Sequence, residues 1–291
     1  MAGFSQDWLA LREPADRRAR STALARQVCA QVAGVGLTAV VDLGAGTGAN
    51  CRWLMPHGTA EQCWRLVDHD GALLSAVGPR MRAWAAAQGG SVEAGGEVLV
   101  VRAATRVCRL DLVRRELVPF DATVVADCHL VTAAALLDLV SDAWVCTVAE
   151  ACRASGAAAL FALSYDGRID CFPSESDDGR VRALVNRHQR TDKGFGPALG
   201  PDAAPAAARA FGAVGYHVER RRSDWVLTHE AQLQRELLEG WAGAAAEMAP
   251  AEADRIATWL RTRLGHVDAA RSVIRVGHED LAAWPSPRPP D

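Results

Sequence analysis

The sequence has no excess of positive charge. Its 291 residues include 32 lysines and arginines against 35 aspartates and glutamates, which gives a formal net charge of −3. Such a chain has no basic field with which to grip a phosphate backbone, so we expect no nucleic-acid partner. A small molecule is the better expectation for the substrate.

The sequence also lacks any pairing pattern among its cysteines. The eight cysteines are scattered without a C-x-x-C pair and without a histidine pair at zinc spacing. We therefore expect reduced, apolar thiols in a cytoplasmic protein, and no metal site.

Long apolar runs are missing as well. The first 30 residues carry Asp7, Glu13 and Asp16 and no signal-like apolar stretch, and no uninterrupted apolar span reaches bilayer length. This predicts an unexported protein with no membrane partner, acting as a monomer or homodimer. With 49% hydrophobic residues, the chain can bury a full α/β core as one domain with additions.

The most informative segment that is present covers residues 40–50, where an apolar strand runs into alternating glycines: V-V-D-L-G-A-G-T-G-A-N. Glycine admits positive φ and close approach of the backbone to a ligand, and the helix that follows offers unpaired N–H groups. Two interpretations stay open at this point. The pattern G-x-G-x-x-A fits a dinucleotide, and the pattern D-x-G-x-G-x-G fits S-adenosyl-L-methionine (SAM).

Three acidic residues at predicted strand ends favour the second interpretation. Asp42 precedes the first glycine by two residues, where it can orient the loop and face a ligand ammonium, whereas a pyrophosphate would be repelled. Asp68 ends a second strand about 20 residues beyond the glycines, the position of a ribose-binding carboxylate. Asp111 ends a third strand and is predicted to accept from an adenine amino group.

These acids and the glycine loop resemble the class I, Rossmann-like SAM-dependent methyltransferase superfamily over about residues 38–165. Residues 164–168 (S-Y-D-G-R) and 186–196 look like a bacterial subgroup of such enzymes, to which no substrate is attached. The resemblance implies SAM as cofactor, S-adenosyl-L-homocysteine (SAH) as product, and strand order 3-2-1-4-5-7-6 with the seventh strand antiparallel. The expected cofactor contacts are Asp42, Gly44, Ala45, Gly46, Gly48, Asn50, Asp68, His69, Asp70, Asp111, Leu112 and Arg12.

Hydrophobic spacing predicts seven strands alternating with helices, hence an α/β fold with a mostly parallel sheet covered on both faces. We expect an N-terminal helical cap over residues 1–34, the main domain over 35–284 with a polar excursion at about 165–200, and a disordered tail over 285–291. The fourth strand has two possible registers, 121–127 or 129–134. We prefer the second, because Ser141 then caps the next helix.

Residue spacing in the N-terminal cap predicts a helical lid. Trp8, Arg12, Asp16 and Arg20 are four residues apart and share one face if the segment is helical. Arg12 or Arg20 could then meet the cofactor carboxylate, while the alternative is a plain surface pair between Asp16 and Arg20.

Substrate contacts are expected where the hydrophobic chain turns polar, after the fifth strand. The predicted catalytic residues are Tyr165, Asp166 and His188, with His188 as the general base if the acceptor is a hydroxyl. The predicted substrate-binding residues are Trp8, Arg168, Asn186, Arg187 and Lys193. The alternative for the charged run is a solvated helix.

The sequence therefore predicts a SAM-dependent methyltransferase that acts on an oxygen or nitrogen of a small polar molecule. Two alternatives stay open. One is an NAD(P)-dependent oxidoreductase, and the other is a protein that binds SAM as a sensor or partner subunit without methylating anything.

Overall fold

Ten strands form one sheet in the computed structural model, which describes residues 5–286. In chain order β1 to β10 are Leu37–Leu43, Glu61–Asp68, Ser91–Gly95, Val98–Ala103, Arg106–Arg114, Leu130–Ala134, Ala158–Phe172, Tyr216–Arg222, Trp225–Leu227 and Val273–Pro285. The order across the sheet is β3-β4-β5-β2-β1-β6-β7-β10-β8, and β9 pairs with β10.

The seven predicted strands correspond to β1, β2, β5, β6, β7, β8 and β10. Their order in the sheet is the one the resemblance implies, with β10 antiparallel to both of its long neighbours. Strands β5, β2, β1, β6 and β7 are parallel. The three additional strands are the β3–β4 hairpin and the short β9. The predicted Rossmann-like α/β fold is confirmed.

Residues 5–286 form nine α-helices. In chain order α1 to α9 are Gln6–Ala19, Thr22–Gln31, Ala49–Leu54, Gly71–Ala86, Asp142–Ser155, Asp178–Gln189, Ala203–Ala213, Ala231–Met248 and Ala253–Asp268. Within the described residues, none of them is both long and apolar enough to cross a bilayer. The fourth strand takes the preferred register, since Leu130 pairs with Val40, and Ser141 caps α5 by accepting from Trp144 N.

Two local features differ from what the sequence pattern predicts. Apolar spacing predicts one helix over residues 15–33, but the structure has two, α1 and α2, because Arg20 adopts an extended conformation between them. Gly78–Pro79 predicts a kink or a split in the helix over residues 70–88, but α4 is not split and continues through Pro79. The predicted disordered tail falls mostly on residues 287–291, which lie outside the described part of the chain.

Alternation along the strands sends side chains to two cores. Val41 and Leu43 pack with α5 and α7 on one face, while Val40 and Leu66 pack with α2, α3 and α4 on the other. A third core lies beyond the sheet edge, where α6, α8 and α9 pack on the outer parts of β7 and β10. Helix α2 belongs to the second core, so α1 is the helix left to cover the carboxyl ends of the strands.

Candidate functional site

A cavity of about 220 Å³ lies at the carboxyl ends of the central strands. One water molecule needs roughly 10–15 Å³ of such space, so the cavity holds a ligand of many atoms. Its walls come from α1, from the loops after β1, β2, β5 and β6, and from the loop after α6. Ligands of open α/β sheets bind at this edge, where the strand order reverses.

The glycine loop forms the floor. Gly44, Gly46 and Gly48 have φ values of +67°, +53° and +78°, a region that side chains rarely enter. Gly44, Ala45 and Gly46 line the cavity. Gly48 instead begins α3, where an added Cβ would meet Val77 at 3.3 Å, so the third glycine serves helix packing.

Asp68 stands at the end of β2 and lines the cavity with His69 and Asp70, as the sequence predicted. One Asp68 oxygen accepts from Gly46 N at 2.7 Å, and the other accepts from Asp70 N at 2.9 Å. Asp70 caps α4 by accepting from Ala72 N and Leu73 N. The Asp68 carboxylate is thereby fixed beside the floor of the cavity.

Asp42 lies behind the cavity wall. It is fully buried, and its Oδ1 accepts from Asn50 Nδ2 at 2.7 Å. Within residues 5–286 its Oδ2 has no hydrogen-bond partner. Burial raises the pKa of Asp42 to about 7. The predicted direct contact of Asp42 with a ligand ammonium is corrected, because only Asn50 reaches the cavity.

Arg20 is a buried cation in the wall. Its side chain is 6% exposed, and its Nη1 donates to Asn50 Oδ1 at 3.1 Å. Its Nε has no acceptor among the described residues. Burial lowers the pKa of Arg20, against the opposing effects of Asp16 and Asp280. A buried guanidinium with an unused donor is a strong site for a ligand carboxylate.

Arg12 also lines the cavity, but its charge is balanced. Its guanidinium donates to both oxygens of Asp16 at 3.0 and 3.2 Å, and it lies 5.1 Å from the ring centroid of Trp225. The alternative interpretation of this face was a surface pair between Asp16 and Arg20. Asp16 pairs with Arg12 instead, so Arg20 lines the cavity without a carboxylate in a salt bridge to it among the described residues.

Helix α1 closes the cavity from above. Glu13 pairs with Arg52 of α3 at 2.7 Å, and Gln6 Nε2 donates to Ala72 O at 3.0 Å at the start of α4. Leu9 faces the cavity. Trp8, predicted to contact the substrate, does not line it and packs against the third core.

Two predicted cofactor contacts, Asp111 and Leu112, do not line the cavity. Strand β5 continues to Arg114, which pairs with Asp68, so Asp111 lies three residues before the strand end and pairs with Arg109 at 2.9 Å. Leu112 packs against the second core. The residues that reach the cavity from this strand are Glu116, Leu117 and Val118.

The far end of the cavity is apolar with one basic group. Leu136 and Leu139 follow β6, and Lys193 and Phe195 come from the loop after α6. That loop is held in place, because Asp192 Oδ1 accepts from two backbone N–H groups and Phe195 packs edge-on against Trp144. Lys193 is the only predicted substrate-binding residue that the structure brings to the cavity.

Six other predicted site residues lie outside the cavity: Tyr165, Asp166, Arg168, Asn186, Arg187 and His188. Tyr165, Asp166 and Arg168 were expected just after a strand end, but β7 runs on to Phe172 and includes them, while Asn186, Arg187 and His188 lie on α6. There Tyr165 OH donates to Asn186 Oδ1 at 2.7 Å, and Arg168 pairs with Asp166 and Asp224.

These contacts join β7 to α6 and to the segment before β9. Burial raises the pKa of Tyr165, which opposes ionisation of its hydroxyl. Arg187 is exposed on α6. His188 lies behind Lys193, 3.2 Å from Glu247, and burial together with the Lys193 charge lowers the pKa of His188.

Sequence reasoning missed the apolar walls: Leu9, Leu73, Leu117, Leu136, Leu139 and Phe195. Such residues carry no polar signature, and the only available signal was their position after a strand or on the face of a lid helix. In residues 5–286 no three His, Cys, Asp or Glu side chains group as a metal site.

No family model matches the sequence, and no curated protein matches it. Solved structures do resemble the fold. One is a SAM-dependent methyltransferase from Geobacter sulfurreducens in complex with SAH, at 14% identity and TM-score 0.46, with 98% of this chain and 100% of that chain covered.

A cyclopropane synthase from Mycobacterium tuberculosis is 10% identical, with TM-score 0.46 and coverage of 96% and 94%. A precorrin-6y C5,15-methyltransferase from Geobacter metallireducens is 10% identical, with TM-score 0.43 and coverage of 93% and 94%. At such low sequence identity, these structures do not assign roles to residues of this chain.

Proposed function

We propose that this protein is a class I SAM-dependent methyltransferase that transfers a methyl group to an oxygen or nitrogen of a small molecule. One observation carries the proposal. A single cavity brings together a glycine floor, a strand-end carboxylate and a buried arginine with an unused donor. Each group matches one part of SAM. The glycine floor would lie along the chain between the sugar and the amino acid, the strand-end carboxylate would bind the ribose diol, and the arginine would bind the carboxylate.

The cofactor would lie across the ends of β1 and β2. Arg20 would pair with its carboxylate, and Asp68 would accept from the ribose hydroxyls, exchanging the Gly46 N–H that it holds in the free protein. The adenine would pack near Leu73 and Leu117, with Glu116 as the acceptor for its amino group. Asp42 would not touch the cofactor but would hold Asn50, which lines the cavity.

Methyl transfer from a sulfonium is an in-line displacement, so positioning and exclusion of water supply much of the acceleration. The far end of the cavity suits this chemistry. Leu9 of α1 and Leu136 and Leu139 after β6 surround it with apolar surface, which disfavours competing water. The acceptor would enter between these residues and the Lys193 loop.

The alternative of a dinucleotide-dependent oxidoreductase fits the cavity less well. A pyrophosphate would bind the backbone N–H groups of the glycine loop, beside the Asp68 carboxylate, which accepts from Gly46 N at 2.7 Å in the free protein. A negative ligand there would face that carboxylate.

Calorimetric titration tests the proposal. SAM and SAH should bind, NADH should not, and Asp68→Asn should weaken SAH binding by roughly 10-fold or more, as expected for losing hydrogen bonds to a charged acceptor. Asp254→Asn, an exposed change on α9, is the matched control. Heat from NADH without heat from SAH would overturn the assignment. Binding of SAH without turnover of any acceptor would favour the non-catalytic alternative.

A further inference from the structure

Lys193 is the only lysine in the chain, and the other 31 of its 32 basic residues are arginines. This one lysine lines the cavity. The two residue types differ chemically, because a guanidinium stays protonated in proteins while an ammonium can lose its proton when it is desolvated. For holding an anion, arginine is the better residue. A lysine at this place can therefore exchange a proton, which an arginine there could not.

The Lys193 amine is held but not fully used. Its Nζ donates to Thr191 Oγ1 at 2.9 Å and lies 3.4 Å from each ring nitrogen of His188. Equal distances to both nitrogens mean that His188 does not take the amine in one directional hydrogen bond. One side of the amine is left for a group in the cavity.

Burial, rather than a neighbouring charge, favours the neutral amine of Lys193. Across residues 5–286, no carboxylate oxygen lies within 4.0 Å of Nζ, while Glu247 stands behind His188. Burial lowers the pKa of Lys193, and Glu247 acts in the opposite direction. The other charged or titratable groups that face the cavity are the Arg12–Asp16 pair of α1, Arg20 after α1, Asp68, His69 and Asp70 after β2, and Glu116 after β5.

We propose that Lys193 is the proton acceptor of the transfer step, with Thr191 and His188 as positioning residues. This inference rests on the proposed function. In the step, the acceptor O–H or N–H gives its proton to the neutral amine as its lone pair forms the new bond to the methyl carbon. The carbon–sulfur bond breaks with its electron pair on sulfur, which leaves SAH, the methylated product and a Lys193 ammonium that later loses its proton to water.

The proposal narrows the substrate class. An acceptor that needs this base is a hydroxyl, such as a phenol, or a protonated amine. A carboxylate or a thioether already has a free lone pair and would not need it. The sulfonium of SAM adds a positive charge to the same cavity, so SAM should favour the neutral amine more than SAH does.

The single lysine makes a direct test possible without a known acceptor. Protein grown with lysine labelled at Cε with carbon-13 gives one side-chain NMR signal, assigned by its loss in Lys193→Arg. We expect this signal to titrate at lower pH in the folded protein than in the same protein unfolded in urea, and lower with SAM than with SAH.

Titration at or above the pH of the unfolded chain would overturn the proposal. So would equal titration with SAM and SAH when calorimetry shows both bound. If neither ligand binds, the proposed cofactor site fails, and the comparison of folded with urea-unfolded protein still decides the state of Lys193.

A second test uses a phenol or amine that the wild-type protein methylates. Lys193→Met and Lys193→Arg should both lower kcat by roughly 10²- to 10⁴-fold and leave SAH affinity within about twofold. Arg209→Met, an exposed change on α7, should behave as wild type. Near-normal turnover by Lys193→Arg would show that a fixed cation suffices and would overturn the assignment.

Discussion

The indole N–H of Trp225 donates to the Asp16 carboxylate across 3.1 Å, although 209 residues separate the two in sequence. The same carboxylate holds Arg12, which lies over the Trp225 ring. Helix α1 is therefore held against β9 by a buried arrangement of three side chains. Since α1 also forms one wall of the cavity, this contact between distant parts of the chain helps to set the shape of the cavity.

Trp225→Phe should weaken that attachment. The change keeps an aromatic ring but removes the donor to Asp16, so we expect the free energy of unfolding to fall by about 1–2 kcal/mol and SAH affinity to fall as well. Denaturant unfolding and calorimetry measure the two effects. Trp259→Phe is the matched control, because its indole also donates to a carboxylate, that of Asp178 at 2.8 Å, but far from the cavity. Equal SAH affinity in both variants would contradict the role given to α1.

Gly46→Ala should displace helix α1, which covers the cavity. An added Cβ would stand 3.2 Å from Leu9 Cδ1, at a φ of +53°. The backbone conformation alone costs about 1–2 kcal/mol for a residue with a side chain. Gly96→Ala isolates that cost, because it has a φ of +67° and nothing within 4 Å. We expect both variants to lose the same stability from the backbone conformation. Only Gly46→Ala should also lose SAH affinity, and adding Leu9→Ala to it should partly restore that affinity.

Asp42 should make stability depend on pH. Burial raises its pKa from 3.8 to about 7 in the folded protein, so between these values the folded state keeps a proton that the unfolded chain has lost. The contribution of Asp42 to stability is complete below pH 4 and is lost as pH rises through 7.

Asp42→Asn keeps an oxygen for Asn50 and removes this titration. The stability of the variant relative to wild type should rise between pH 4 and 7 by on the order of a few kcal/mol, measured by urea unfolding at several pH values. Asp254→Asn should give a constant difference over the same range. A constant difference for Asp42→Asn as well would show that the carboxyl is not protonated in the folded protein.

Substitutions of Glu116 and Asp111 test which of the two acids contacts the adenine. Glu116→Ala should weaken SAH binding by roughly 5- to 10-fold, the effect of losing one hydrogen bond of about 1 kcal/mol. Asp111→Ala should leave SAH affinity nearly unchanged, because Asp111 lies outside the cavity. The reverse result would support the original prediction that Asp111 contacts the adenine.

The sequence was most informative where local chemistry dictates local structure. The glycine loop needs positive φ, and Asp68 lies at a strand end, where its carboxylate accepts from the loop. Asp70 and Ser141 cap helices with their own side chains. Each of these features depends on a few neighbouring residues, so the sequence pattern contains the whole physical argument.

Strand length was the feature that local patterns predicted poorly. The polar residues after Tyr165 and the acid at Asp111 suggested that strands end there, since water would satisfy them equally well outside a sheet. In the structure the backbone beyond these points stays paired because neighbours from distant parts of the chain pair with it, as Arg275 does with Asp170. The same long-range dependence hid the apolar walls of the cavity.

The length of β7 and β10 also determines how a ligand can enter. Both strands run from the sheet into the layer formed by α6, α8 and α9, and their pairing resumes after each of two register shifts, so that layer cannot swing on a flexible linker without breaking hydrogen bonds between the strands. Helix α1 is attached by a small number of side-chain contacts. Opening of the cavity should therefore be a movement of α1, and hydrogen exchange should be faster there than along β7.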